Sequence, residues 1–284
     1  MKPTFVIYGN CQAGVLGETT KFIPEIHDHY DVVYYRSFDH PTEGKAAFDP
    51  DVMARCRYFW CQVDNAVGSP FDGETPEDMK KVIFPSVDLG MLWPFQTHDP
   101  IFTSEADYPF GMFPYGDRLL IKLAEANVPV DQVVEQFNQQ WTEQGFNFDR
   151  YLDIEMHRLI KREQGAHVHM AAWVLSHFRT DRLLWTYNHP TKTTFRVLLN
   201  RVMAATFREA LEPGHALYNV GDRIFESWDP FSVSHQPPIH AQVADALELM
   251  WHSPDDAYYF HNDTSISARE FIEKYVVERI VRQN

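Results

Sequence analysis

Apolar residues fall into two regimes along the chain. In the first third they come as short unpunctuated runs, Phe5-Val6-Ile7, Val32-Val33-Tyr34-Tyr35, Tyr58-Phe59-Trp60-Cys61 and Val82-Ile83-Phe84, the form a strand takes when both its faces are covered. These runs predict strands over 4–8, 31–36, 58–63 and 81–85. Gly9-Asn10 stops the first, and residues 11–18 can wind as a helix behind it. Helical material is also expected at 76–81. Strands alternating with helices predict an α/β fold, mainly a parallel sheet flanked by helices.

From Leu89 to Tyr115 prolines interleave with Trp93, Phe95, Phe102, Tyr108, Phe110, Phe113 and Tyr115. That spacing fits no regular element and suggests a packed irregular segment able to line a pocket. The helical period then takes over, predicting helices at 117–126, 129–140, 148–164 and 166–178. In the last, Val168, Ala171, Ala172, Val174, Leu175 and Phe178 recur at i, i+3 and i+4. The block 117–180 is expected to be a helical layer or insertion. Residues 182–187 predict a return to the sheet, ending at Asn188-His189-Pro190-Thr191 before a helix from 193 to 211. C-terminal helices are expected within 241–284, near 241–250 and over 268–281, with Ser267-Ala268-Arg269-Glu270 as the capping box of the last. A single α/β domain over 1–284 accommodates all of these.

The length of 284 residues and 44% hydrophobic content are enough for one large core. Forty acidic against 25 basic side chains give a formal charge of −15, which disfavours nucleic acid as a partner. A small anionic molecule stays compatible with that charge, because a few local cations and backbone N–H groups can hold it. Arg36, Arg118, Lys122, Lys192 and Arg196 are available for this, or are ordinary solvated cations. No apolar run is long enough for a transmembrane helix, the N-terminal apolar stretch is too short for a signal peptide, and three cysteines suit a reducing compartment. A cytoplasmic location is expected.

Cys11 follows the Gly9-Asn10 turn where the first helix opens, and unsatisfied N–H groups there stabilise a thiolate or an oxyanion. Gly9, Asn10 and Gln12 are the candidate anion-binding positions beside it. The competing description is a small buried hydrophobe behind an ordinary turn. His189 is the candidate base, since parallel sheets gather their sites at the carboxyl ends of strands; it can equally serve the start of the following helix. Cys11 and His189 are the candidate catalytic pair. His27/His29, His167/His169 and His235/His240 lack metal-ligand spacing, and Cys56 and Cys61 suit core packing, so no metal is expected. Dinucleotide, phosphate-loop and serine-hydrolase motifs are absent.

Tyr8-Gly9-Asn10-Cys11-Gln12, Phe84-Pro85 with Leu92-Trp93-Pro94, Asn188-His189-Pro190 and Ser267-Ala268-Arg269-Glu270-Phe271 together resemble the WcbI-like family of polysaccharide-biosynthesis proteins. The resemblance implies a coenzyme A-binding O-acetyltransferase that uses acetyl-coenzyme A to modify a sugar of a bacterial capsular polysaccharide, with Cys11 and His189 at its active site. It assigns no coenzyme A contacts. A cysteine-dependent thioesterase or esterase and a non-catalytic carbohydrate-binding module are the alternatives.

Overall fold

The computed structural model describes residues 1–37, 48–63, 76–143, 145–233, 235–261 and 264–283. The chain divides into two compact units, one of residues 1–88, 156–176 and 188–230, the other of residues 89–155, 177–187 and 231–284. The fold is α/β. Among the described residues no helix is long and apolar enough to cross a membrane.

The first unit is built on four parallel strands, β1 (Thr4–Gly9), β2 (Asp31–Arg36), β3 (Cys56–Val63) and β4 (Lys80–Pro85), in the order β2-β1-β3-β4. Val6 lies opposite both Val33 and Phe59, and Trp60 lies opposite Val82. Alternation along the strands sorts the apolar residues into two layers. Val6, Cys56, Phe59 and Cys61 pack with Phe48 and with Met53 of the short helix Pro50–Ala54. Phe5 and Trp60 meet edge-to-face at 4.8 Å on the other side. There helix α1 (Cys11–Thr19) brings Gly17 close to Ile7, and the helix Lys192–Thr206 supplies the Thr206 hydroxyl that accepts from the Trp60 indole at 2.8 Å.

Sheet pairing overrides the expected helix at two places. No helix forms over 76–81, because Lys80 and Lys81 pair with Tyr58 and Phe59. The helix expected from 166 begins at Ala171. His167 and Val168 donate their N–H groups to Ile83 O of β4 instead, and the Glu163 carboxylate takes the N–H groups of Met170 and Ala171. Residues 184–186 form a short strand outside the four-stranded parallel sheet, so the expected return to that sheet is not made. The helix after His189 stops at Thr206, where Phe207 turns extended.

In the second unit the helices Arg118–Glu125, Val130–Glu143 and Ala268–Gln283 pack together. The last is opened by the expected capping box: Ser267 N donates to Glu270 Oε2 at 2.8 Å and Glu270 N donates to Ser267 Oγ at 3.2 Å. The helix from Ala241 ends at Ala246, short of the expected 250. Glu248 takes a φ of +55° there, and Leu249 N donates to Ala244 O at 2.9 Å, closing a left-handed cap. Phe113 packs against Phe102, Phe271 and Tyr275, and the buried Asp99 carboxylate accepts from Tyr275 Oη at 2.6 Å and Arg279 Nε at 2.9 Å. The segment 89–115 is largely irregular, as its composition predicts.

Candidate functional site

The sequence Gly-Asn-Cys-Gln becomes the hinge between β1 and α1. Asn10 is extended, and its Oδ1 accepts from Gln12 N at 2.9 Å, while Asn10 O accepts from Gly14 N to start the helix. The Tyr34 hydroxyl donates to Asn10 O at 2.7 Å, fixing the turn from the β2 side. Gly9 has a φ of +156°, and a Cβ built on it lies 2.5 Å from Gln62 Oε1 and 2.6 Å from Gln62 Cβ. Gly9→Ala is expected to cost about 1–3 kcal/mol, since a stiff, buried neighbour must move to admit the methyl group. Urea denaturation checks this; an unchanged midpoint would show that Gln62 is not held against the turn.

Gln12 is fully buried, and its side-chain amide reaches four partners. Nε2 donates to Val87 O and to Asn188 O, each at 2.8 Å, and Oε1 accepts from Val87 N at 2.9 Å and from Gln62 Nε2 at 3.4 Å. That uses both protons and both lone pairs of the amide. Gln62 Oε1 in turn accepts from Asn10 N at 2.8 Å. Two glutamines therefore bind together the carboxyl ends of β1 and β3, the segment following β4, and the Asn188-His189 step. Cys11 and His189 are the chain neighbours of the two residues joined by the Gln12–Asn188 bond, so the geometry brings both to one neighbourhood of the first unit. Gln12's main-chain N–H and side-chain NH2 are all engaged in these bonds, so its part here is to hold the frame together, not to donate to an anion as the sequence alone suggests.

The location follows from the strand order. The chain moves from β1 to β2 on one side and then crosses to β3 on the other, so β1 and β3 flank the switch point beside which open α/β sheets bind their ligands. Gly9-Asn10-Cys11 and Gln62 stand at that point, at the carboxyl ends of β1 and β3. Cys11 is partly exposed, whereas burial pushes the Cys56 and Cys61 thiols up to about 11. His189 is partly buried, and desolvation lowers its pKa to about 4, so the imidazole is neutral at physiological pH.

Sequence reasoning missed Gln62 and the 86–88 segment. A glutamine closing the otherwise apolar run Tyr58-Phe59-Trp60-Cys61 was the available signal, because a buried amide must be matched. The 86–88 segment is braced by Arg162, which donates to Ser86 O and Ser86 Oγ at 3.1 Å and pairs with Asp88; Arg158 pairs with Asp88 as well. Among the described residues no group of three or more His, Cys, Asp or Glu side chains is placed to hold a metal ion.

A family model described as polysaccharide biosynthesis enzyme WcbI matches residues 4–245. A solved structure of WcbI, described as a novel polysaccharide biosynthesis enzyme in its native form without a disulfide bond between coenzyme A and a cysteine, superposes on the chain with a TM-score of 0.67. The two share 15% identity over 99% of this chain and 91% of that one, a likeness of fold. No curated protein matches the chain.

Proposed function

The chain belongs to the WcbI family of polysaccharide biosynthesis enzymes, and on that premise we propose that it transfers an acetyl group from acetyl-coenzyme A to a sugar hydroxyl at a site centred on Cys11 and His189. The observation that carries the proposal is the Gln12 Nε2–Asn188 O hydrogen bond of 2.8 Å. It ties the helix start bearing Cys11 to the step bearing His189 where the sheet diverges. The related WcbI structure is described as lacking a disulfide between coenzyme A and a cysteine, which supports a coenzyme A thiol within reach of a protein thiol in this family. Cys56 and Cys61 are sealed in the core, which leaves Cys11 as the thiol a ligand can reach.

The chemistry follows from these groups. Near the start of α1 the helix dipole polarises the thioester carbonyl and stabilises the oxyanion formed on attack. His189, neutral at physiological pH, takes the proton of the sugar hydroxyl as its oxygen bonds to the acetyl carbon. The carbon–sulfur bond then breaks, and the proton passes to the departing coenzyme A thiolate. Burial holds His189 neutral, with a ring nitrogen able to accept the hydroxyl proton as the new bond forms. This favours direct transfer, with Cys11 lining the site beside the thioester.

The test is release of coenzyme A from acetyl-coenzyme A with and without a polysaccharide acceptor. Acceptor-dependent release is expected, and equal release in both would sink the proposal in favour of a thioesterase. His189→Ala is expected to lower kcat about 10²–10⁴-fold with coenzyme A binding retained. The acid limb of kcat/KM should fall near pH 4, well under the ordinary histidine range, since protonation of His189 removes the base of the free enzyme. Mass spectrometry under single turnover should find no acetyl-Cys11; a trapped adduct refutes direct transfer.

A further inference from the structure

The second unit contains a cavity of about 220 Å³ whose wall is formed in part by Trp93, Phe95, Asp117, Trp141 and His240. Phe95 meets Trp141 edge-on at 4.4 Å, and His240 stacks flat on Trp141 at 4.4 Å and 10°. These rings build a rigid apolar wall. His240 is committed to that role, because Nδ1 accepts from Gln242 N at 3.2 Å and Nε2 pairs with Asn138 Oδ1 at 2.9 Å. The Trp93 indole likewise donates to Pro237 O at 3.0 Å. Trp141 differs. Its side chain is 97% covered, yet its indole Nε1 is buried with no acceptor, a condition that folded proteins seldom leave unanswered. Asp117 brings a carboxylate to the same wall, with Oδ1 capping the helix Arg118–Glu125 through Leu119 N and Leu120 N.

We propose that this cavity binds one uncharged sugar ring, with an apolar C–H face against the aromatic wall, a ring or hydroxyl oxygen accepting from Trp141 Nε1, and a hydroxyl donating to Asp117. The volume lies below the roughly 300–1,000 Å³ of pockets that hold drug-sized ligands, so the cavity suits a single ring. A purely apolar occupant leaves the indole N–H without an acceptor, and an anionic one meets the Asp117 carboxylate. A pyranose presents acceptors and donors around an apolar face, matching all three features at once. Naming this ring as part of the acetyl acceptor rests on the function proposed above; the binding itself does not.

The test titrates the full-length protein with the methyl glycosides of glucose, galactose and mannose, and with adenosine, followed by tryptophan fluorescence and saturation-transfer NMR. At least one glycoside is expected to bind and adenosine is not. Trp141→Phe, which keeps an aromatic ring and removes the N–H, should weaken that glycoside about tenfold, the scale of one buried hydrogen bond. Asp117→Asn, which retains the helix cap, should weaken it similarly, and thermal melts confirm that both variants fold. His189→Ala should bind the glycoside as the parent does while losing transfer. Binding of no glycoside, binding of adenosine instead, or undiminished affinity in both cavity variants overturns the sugar site. Release of coenzyme A that ignores the acceptor while glycoside binding persists defeats only the acetyl-transfer proposal.

Discussion

Gln12→Ala is expected to destabilise the first unit by about 3–5 kcal/mol, as much as a small domain can lose and still fold. The amide makes four hydrogen bonds in a fully buried position. Truncation leaves Val87 N and O, Asn188 O and the Gln62 amide without their partner, and each stranded buried group costs about 1–3 kcal/mol. Partial rearrangement of Gln62 keeps the total below the simple sum. Gln12→Glu is a sharper probe of the same network. A carboxylate cannot donate to the two carbonyls that Gln12 Nε2 serves, so it faces two oxygens with lone pairs of its own. Chemical denaturation of both variants checks this, with coenzyme A binding as a second readout. A loss under about 1 kcal/mol in Gln12→Ala would mean that the two glutamines do not brace the candidate site.

Acidification is the second large lever. His189 in the first unit has a pKa lowered to about 4 by burial; in the second, burial lowers His235 to about 3 and His240 to about 4, helped by repulsion from His261 and His252. Each folded-state pKa lies below the ordinary 6.5, so the unfolded chain binds protons first. Stability is full above pH 6.5 and drains as pH falls toward 4, by about 2 kcal/mol per histidine at pH 5. Asp117 acts in the opposite sense, because burial raises it to about 6 and its protonation favours the folded state, returning about 1 kcal/mol at pH 5. The first unit should lose about 2 kcal/mol and the second about 3 between pH 7 and 5. Thermal melts across that range test the sign, and His235→Leu should remove part of the slope. A melting temperature constant from pH 7 to 5 contradicts neutral burial of these rings.

Much of this is visible before folding. The runs at Thr4–Gly9 and Cys56–Val63 announce themselves as buried strands because a strand covered on both faces needs apolar side chains along its length, whereas Asp31–Arg36 has the same apolar run but forms the partly exposed edge strand. The turn at Gly9-Asn10 is legible for a local reason: Asn10 caps the helix two residues ahead, and only glycine tolerates Gln62 at 2.5 Å. The capping box at Ser267 and Glu270 is equally local and reads directly from spacing.

What depends on distant partners was not legible. The stretch 166–170 has helical periodicity, but β4 presents the carbonyl of Ile83, and pairing with a sheet edge satisfies those N–H groups at once. Leu184–Thr186 has strand composition, yet composition does not say which sheet a strand joins. The meeting of the Cys11 turn with the His189 step likewise rests on Gln12 reaching a residue 176 positions away. A glutamine in sequence is simply polar; buried where strands diverge, it must find four partners, and only the folded chain determines which they are.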